Sequence, residues 1–297
     1  MPSKLHAYLL AFGVALAYGF WYILFSIIAS YQVGIFAPIF PLIVIETIST
    51  LLNFTIARHE LLINDKIAIL YLLISGLLYA GGNYMLYLVM NSNGVSFASS
   101  FASAEIVVFT LALLLTERNN QKLKNILLGS ILITLGLIYE SLSLSTISVD
   151  LVIKLIEYGL PTAIFYGSGT FVYFLSTNKV KNKFTINFYI QASEVAIFLI
   201  LISLVKVNIS MQISSYYLLW LIAGGFTLFI AFYLNTTMMK VLQSFNNKTV
   251  VATGYIISDL MLLPILIYTL ITNPSLWLSY TPGIILIIFG MSFLEWK

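Results

Sequence analysis

Residues 99–118 read SSFASAEIVVFTLALLLTER, and residues 249–271 read TVVATGYIISDLMLLPILIYTLI. Each is an apolar run interrupted by one carboxylate, Glu105 in the first and Asp259 in the second. About 20 such residues cross ~30 Å of hydrocarbon as a helix. A carboxylate inside such a run is costly, and it points to a substrate, ion or proton pathway in the interior of a bundle. The pattern recurs in IVIETISTLLNF, residues 43–54, and NFYIQASEVAIF, residues 187–198, which carry Glu46 and Glu194. The four acids form two pairs, Glu46 with Glu194 and Glu105 with Asp259, spaced as an internal repeat would space them.

The composition places the chain in a membrane. Of 297 residues 60% are hydrophobic and 8% charged, with a mean hydropathy of +1.00, a profile foreign to soluble globular domains. Without cysteine there is no disulfide, thiolate nucleophile or thiol metal site. The net charge of +3 is too small and too dispersed for nucleic-acid binding. No Walker A run, zinc-protease motif or EF-hand loop occurs, and Gly167-Ser168-Gly169 lacks the third glycine of a nucleotide fingerprint. His6 and His59 fall at segment edges. Nothing in the sequence calls for a cofactor or a metal.

Ten segments are long enough to span: 5–28, 36–57, 67–90, 95–116, 123–139, 151–176, 184–205, 216–242, 249–271 and 281–296. The first is too long for a signal peptide and has a counterpart in the second half. Turn signals separate the segments, among them Asn64-Asp65, Asn119-Asn120, Asn246-Asn247 and Thr272–Pro274. With the N-terminus inside, the inner loops and ends hold Lys4, Arg58, Lys66, Arg118, Lys122, Lys124, Lys179, Lys181, Lys183, Lys240, Lys248 and Lys297, whereas the outer loops hold Lys154 and Lys206. The positive-inside rule then predicts cytoplasmic termini in a cell-membrane protein.

Tyr18-Gly19 matches Tyr166-Gly167, and Glu46 matches Glu194, at one offset (194 − 46 = 148). Gly129, Gly136 and Glu105 match Gly283, Gly290 and Asp259 at another (259 − 105 = 154). Five segments per half make the second half enter from the opposite side. The expectation is an all-α membrane protein of ten transmembrane helices built as two inverted five-helix repeats, residues 1–145 and 146–297.

The stretch from Ser96 to Tyr139, with a small-residue-rich fourth segment ending in Thr116-Glu117-Arg118 and then Leu128-Gly129 and Leu135-Gly136, resembles the drug/metabolite transporter superfamily, in its ten-helix EamA-like branch. Pro282-Gly283 and Phe289-Gly290 repeat its last part. The chain departs from that pattern where the family usually has proline near the middle of helices four and nine; here Ala104-Glu105 and Asp259 stand there. The resemblance implies a metabolite carrier, often an exporter, that works without ATP hydrolysis and is not an enzyme.

Glu46, Ser49, Thr50 and Asn53 make one polar stripe at helical spacing, and Asn187, Gln191 and Glu194 make another. Such stripes face the bundle interior, either as interhelical hydrogen-bond glue or as the wall of a water-filled path. Phe101 and Tyr255 precede Glu105 and Asp259 by four residues. A carboxylate beside a ring suits an organic cation, and ordinary aromatic packing produces the same pattern. Tyr18 and Tyr22, Tyr79, Asn83 and Tyr87, and Tyr166, Thr170 and Tyr173 are further candidates to line a cavity; tyrosines also populate interfacial belts.

Two mechanisms fit four interior acids: proton uptake and release that drives antiport, or direct binding of a cationic substrate, with both combined when proton and cation compete. The expected function is secondary transport of small polar or cationic metabolites, such as amino acids, amines or drug-like compounds, with the lipid bilayer, the substrate and protons as partners. The alternatives are an intramembrane enzyme using paired carboxylates and a passive channel. Ile257-Ser258-Asp259-Leu260 lacks the Gly-x-Gly-Asp signature of intramembrane aspartyl proteases.

Overall fold

The computed structural model describes residues 3–31, 34–93, 95–143, 153–205, 215–260, 271 and 277–295. Among them every regular element is helical: α1 (Lys4–Ala29), α2 (Ile39–Ala57), α3 (Lys66–Asn93), α4 (Val95–Ala102), α5 (Glu105–Thr116), α6 (Gln121–Ser143), a π-helical turn (Leu155–Gly159), α7 (Leu160–Thr177), α8 (Lys183–Val205), α9 (Ser215–Gln243), α10 (Lys248–Ser258) and α11 (Trp277–Glu295). Seven described helical stretches are long and apolar enough to cross a membrane. Lys206, Lys297, the Thr272–Pro274 turn and most of the ninth expected segment beyond Leu260 lie outside the described residues.

The Asn and Asp turn signals become helix caps. Asp65 Oδ1 accepts from the Ile67 and Ala68 amides, Asn120 Oδ1 from Leu123, Asn182 Oδ1 from Phe184, and Asn247 Oδ1 from Thr249 and Val250. Each supplies an acceptor to N–H groups that a helix start leaves without one. Asn246 turns the chain before α10 with φ of 48°, a left-handed value that Asn tolerates.

These capped starts gather at one end of the bundle. Lys179 pairs with Asp65 at 3.6 Å, Asn182 donates to Glu60 at 2.8 Å, and Lys248 pairs with Glu117 at 3.1 Å. The Ala68 and Ile67 amides, with Lys179, hold the Asp65 carboxyl below the usual carboxylate range. Asn120 and Lys248 do the same for Glu117. At the opposite end Tyr84 donates to the Ile35 carbonyl, Asn91 donates to the Ala29 carbonyl, and Tyr31 packs on Tyr217.

Two expected helices are interrupted. The fourth segment breaks between Ala102 and Glu105, where Ala104 N bonds Phe101 O and Ile106 N bonds Ser103 O, a tighter i−3 pattern. The α10 helix ends at Ser258, and Leu260 N reaches back to Ile257 O in the same way. The sixth segment opens as a π-helical turn before Pro161, whose ring and missing N–H disturb the preceding turn.

The bundle has an apolar core into which a set of polar side chains is buried, and an apolar outer face. Leu5, Leu9, Phe12, Leu16 and Phe20 form an exposed stripe on α1, while Glu46, Ser49, Asn53, Gln191 and Glu194 are fully buried. The main packing partners are α1 with α9, α7 with α3, α2 with α8, and α6 with α11, joined by α2 with α9, α8 with α3, α5 with α7 and α1 with α10. At the α6–α11 crossing Gly129 faces the Gly290 carbonyl and Gly136 faces the Gly283 carbonyl, each close enough that a β-carbon would stand 2.6–2.8 Å from that oxygen.

That crossing has no room for a side chain. Gly136→Val should lower stability by about 1–3 kcal/mol, the usual cost of overpacking, and should appear as a lower unfolding temperature in detergent. Gly13→Ala, whose β-carbon would meet nothing within 4 Å, should leave that temperature unchanged or raise it.

Candidate functional site

The two helix interruptions meet. Glu105 stands in the first turn of α5 and Asp259 caps the C-terminus of α10, and Ser103 Oγ, from the first interruption, donates to the Asp259 carbonyl at 3.4 Å. They border a cavity at the centre of the bundle whose other walls include Tyr18, Trp21, Tyr22, Tyr79, Asn83, Tyr166, Thr170, Phe232, Asn235 and Tyr255. The volume open to water-sized molecules is about 50 Å³, enough for a few waters.

The rings are locked by hydroxyl contacts and by one another. Thr170 Oγ1 is a hub, 2.8 Å from Tyr79 OH and 3.1 Å from Tyr255 OH. Tyr255 also contacts the Glu105 carboxyl and packs on Phe109 with centroids 4.3 Å apart. Tyr79 lies 6.0 Å from Tyr166 and 5.9 Å from Phe232, between centroids. Asn235 donates to Tyr18 at 3.4 Å. Two buried acceptors in this wall, Asp259 Oδ2 and Asn235 Oδ1, have no donor among the described protein groups.

The other acid pair lies one layer behind. Glu46 on α2 and Glu194 on α8 are both fully buried and are bridged by one amide. Asn83, from α3, donates to Glu194 Oε2 at 2.8 Å and to Glu46 Oε1 at 3.3 Å, and its own carbonyl accepts from Tyr166 OH at 2.6 Å. Asn83 and Tyr166 border the cavity, whereas Glu46 and Glu194 do not.

The remaining candidates separate. Asn53 and Gln191 form an α2–α8 clasp, with Gln191 Oε1 accepting from Ser49 Oγ at 2.9 Å and from Asn53 Nδ2 at 2.8 Å. Asn187 accepts from Thr236 at 2.5 Å, and Thr236 accepts from Tyr173 at 2.7 Å. These three candidates are away from the cavity wall. Phe101 is also displaced: its ring lies against Gly159 rather than bordering the cavity, because the break at residues 103–104 removes the continuous helical turn that would set it over Glu105. Tyr255 keeps the expected relation to Asp259, whose amide bonds Tyr255 O at 3.1 Å.

Sequence reading missed Trp21, Leu228, Phe232, Asn235 and Ser258 in the cavity wall. Asn235 carried the available signal, an amide inside an apolar run. It also missed a fifth interior acid, Glu140, which packs against Gly283 on the α6–α11 seam just past the predicted end of the fifth segment. No cluster of His, Cys, Asp and Glu suited to a metal occurs among the described residues.

No family model matches the chain, and no curated protein sequence does. A solved crystal structure described simply as that of a protein is similar at a TM-score of 0.65 and 12% identity, over 99% of this chain and 97% of that one. The likeness is one of fold, end to end.

The clasp yields a stability test. Gln191→Leu would leave the Ser49 hydroxyl and an Asn53 N–H buried without their acceptor, at a cost of about 1–3 kcal/mol. The expected result is a lower unfolding temperature that the double variant Gln191→Leu with Asn53→Leu partly restores.

Proposed function

We propose that this chain is a secondary transporter of small polar or cationic metabolites, an exporter of the EamA-like branch of the drug/metabolite transporter superfamily, working by alternating access of two inverted five-helix repeats in the cell membrane. The observation that carries the reading is the meeting of two acids from two interrupted helices at the wall of a central aromatic cavity. Interrupted helices that expose their ends at mid-bundle are the usual way a transporter builds a midplane site.

Packing supports the repeat. Exchanging the first five segments for the last five turns the α1–α9 contact into α7–α3, α2–α9 into α8–α3, and α5–α7 into α10–α1, all of which occur. The pairs α2–α8 and α6–α11 map onto themselves, as elements on a pseudo-two-fold axis do. The shared end of the loops around Asp65, Glu117, Lys179 and Lys248 supports alternate crossing, and lysine enrichment there supports a cytoplasmic assignment.

The wall favours a cation. It presents two carboxyls, acceptor atoms without donors, and ring faces, and Asp259 adds its charge to the negative end of the α10 dipole. A cavity with room for a few waters must open to admit a metabolite, and the helix break at 103–104 is where α4 and α5 can swing.

Counterflow in proteoliposomes tests the function, with substrates taken from a thermal-shift screen of amines, amino acids, nucleosides and sugars. Saturable exchange is expected. Unsaturable flux would indicate a channel, and turnover of peptide or lipid an enzyme. For orientation, Lys181→Cys in this cysteine-free chain should resist an impermeant thiol reagent in sealed right-side-out vesicles; labelling there would reverse the topology.

Substrate charge has its own test. A cation–π contact contributes about 0.5–2 kcal/mol, less than the loss of a charge partner in a desolvated site. Tyr255→Leu should therefore weaken binding of a cationic ligand less than Asp259→Asn does, and a neutral analogue should be nearly indifferent to the second change. Equal losses for both ligands would reject the cation site.

A further inference from the structure

Glu46 and Glu194 are each 0% exposed, and Asn83, which bridges them, is 6% exposed. Both amide hydrogens of Asn83 are committed, one to Glu46 Oε1 and one to Glu194 Oε2. The other two oxygens, Glu46 Oε2 and Glu194 Oε1, receive no donor from any described group, yet one nitrogen, Asn83 Nδ2, lies 3.3 Å from one carboxyl and 2.8 Å from the other and so holds the two side by side. Ionised carboxylates only accept, so two of them cannot bond without a hydrogen between them. Two bare negative charges at that separation inside a bundle also repel strongly. The ionisable groups that face the pair are Tyr166 from α7 and Tyr18 from α1, and no lysine or arginine is among the groups acting on it. The donor that the geometry lacks is a proton.

We propose that Glu46 and Glu194 hold one proton between them at a site set apart from the cavity, and that Asn83 and Tyr166 transmit the state of that site to the cavity wall. Its use in coupling rests on the transport reading above; the site itself does not. In the loaded state one carboxyl donates its O–H to the other carboxylate. Release passes that proton to water and leaves two carboxylates whose repulsion drives α2 and α8 apart, with Asn83 the donor between them among the described residues. Asn83 then shifts, and Tyr166, which donates to its carbonyl at 2.6 Å and contacts Tyr22, moves with it. Asn83 and Tyr166 are positioning residues. The two pairs thereby divide the work: Glu105 and Asp259 face the ligand, and Glu46 and Glu194 keep the proton.

Infrared difference spectroscopy of the purified full-length protein, stepped in pH in H₂O and in D₂O, reads this with the proton as the only probe. A protonated-carboxyl stretching band that shifts in D₂O and disappears as pH rises is expected. In a background carrying Glu105→Gln, Asp259→Asn and Glu140→Gln, which removes the other interior carboxyls, Glu46→Gln and Glu194→Gln should each abolish the band that is left. Asn83→Leu should displace its midpoint by tenfold or more in proton concentration, and Tyr166→Phe should displace it in the same sense and move the pH profile of flux with it. A band that survives both Gln variants, or that is lost in only one of them, overturns the shared site. Should the variants not fold, absence of a D₂O-sensitive carboxyl band in the wild type overturns it equally. The band pattern as expected, with no substrate flux under any condition, would uphold the proton site and sink the transporter reading.

Discussion

The arrangement of this bundle depends on one constraint: a polar group carried into hydrocarbon must find its partner inside the protein. Stripes of Leu, Ile and Phe can face outward at no cost, so Glu46, Asn53, Asn83, Asn187, Gln191 and Glu194 are driven inward. There each meets another from a different helix. Gln191 receives Ser49 and Asn53, Asn83 serves both Glu46 and Glu194, and Thr170 gathers Tyr79 and Tyr255. These contacts set helix rotation, because apolar faces alone are interchangeable in lipid.

A second constraint acts on the backbone. Where α4 gives way to α5, and where α10 ends, the helical ladder tightens to i−3 bonds and presents its end groups to the interior. Such ends are tolerated at this depth only beside a cavity or against protein. Both occur at the cavity that holds Glu105 and Asp259. The first break carries a carboxylate at a helix N-terminus and the second at a C-terminus, so the two acids sit in opposite dipole environments although they border one cavity.

Close approach is the third element. The α6–α11 crossing brings two glycines of each helix onto the carbonyls of the other, which fixes the rim of the bundle while leaving the centre to the polar helices. The loop contacts at Asp65, Glu117, Lys179 and Lys248 tie helix starts from both ends of the sequence into one surface. They are exposed ion pairs, and each contributes little by itself.

The helical class, the apolar spans and the interior acids were legible in the sequence because each is a local property: run length, hydropathy, and the cost of a charge in hydrocarbon. Glu46 matches Glu194 and Glu105 matches Asp259 in the sequence through their spacing, which says nothing of distance; the structure sets the first pair about Asn83 and the second at one cavity. Caps at Asp65, Asn120 and Asn247 followed from turn chemistry. Other features had no local signal. The interruption before Glu105 has neither glycine nor proline to announce it, so Phe101 was read onto the wrong face. That Asn83 and Tyr166 stand between the two acid pairs, that Asn53, Asn187 and Gln191 serve helix contacts away from the cavity, and that Trp21, Phe232 and Asn235 complete its wall are matters of how α1, α3, α7 and α9 are rotated against one another. Periodicity defines the face a residue shares within its own helix; only packing in three dimensions decides which neighbour that face meets.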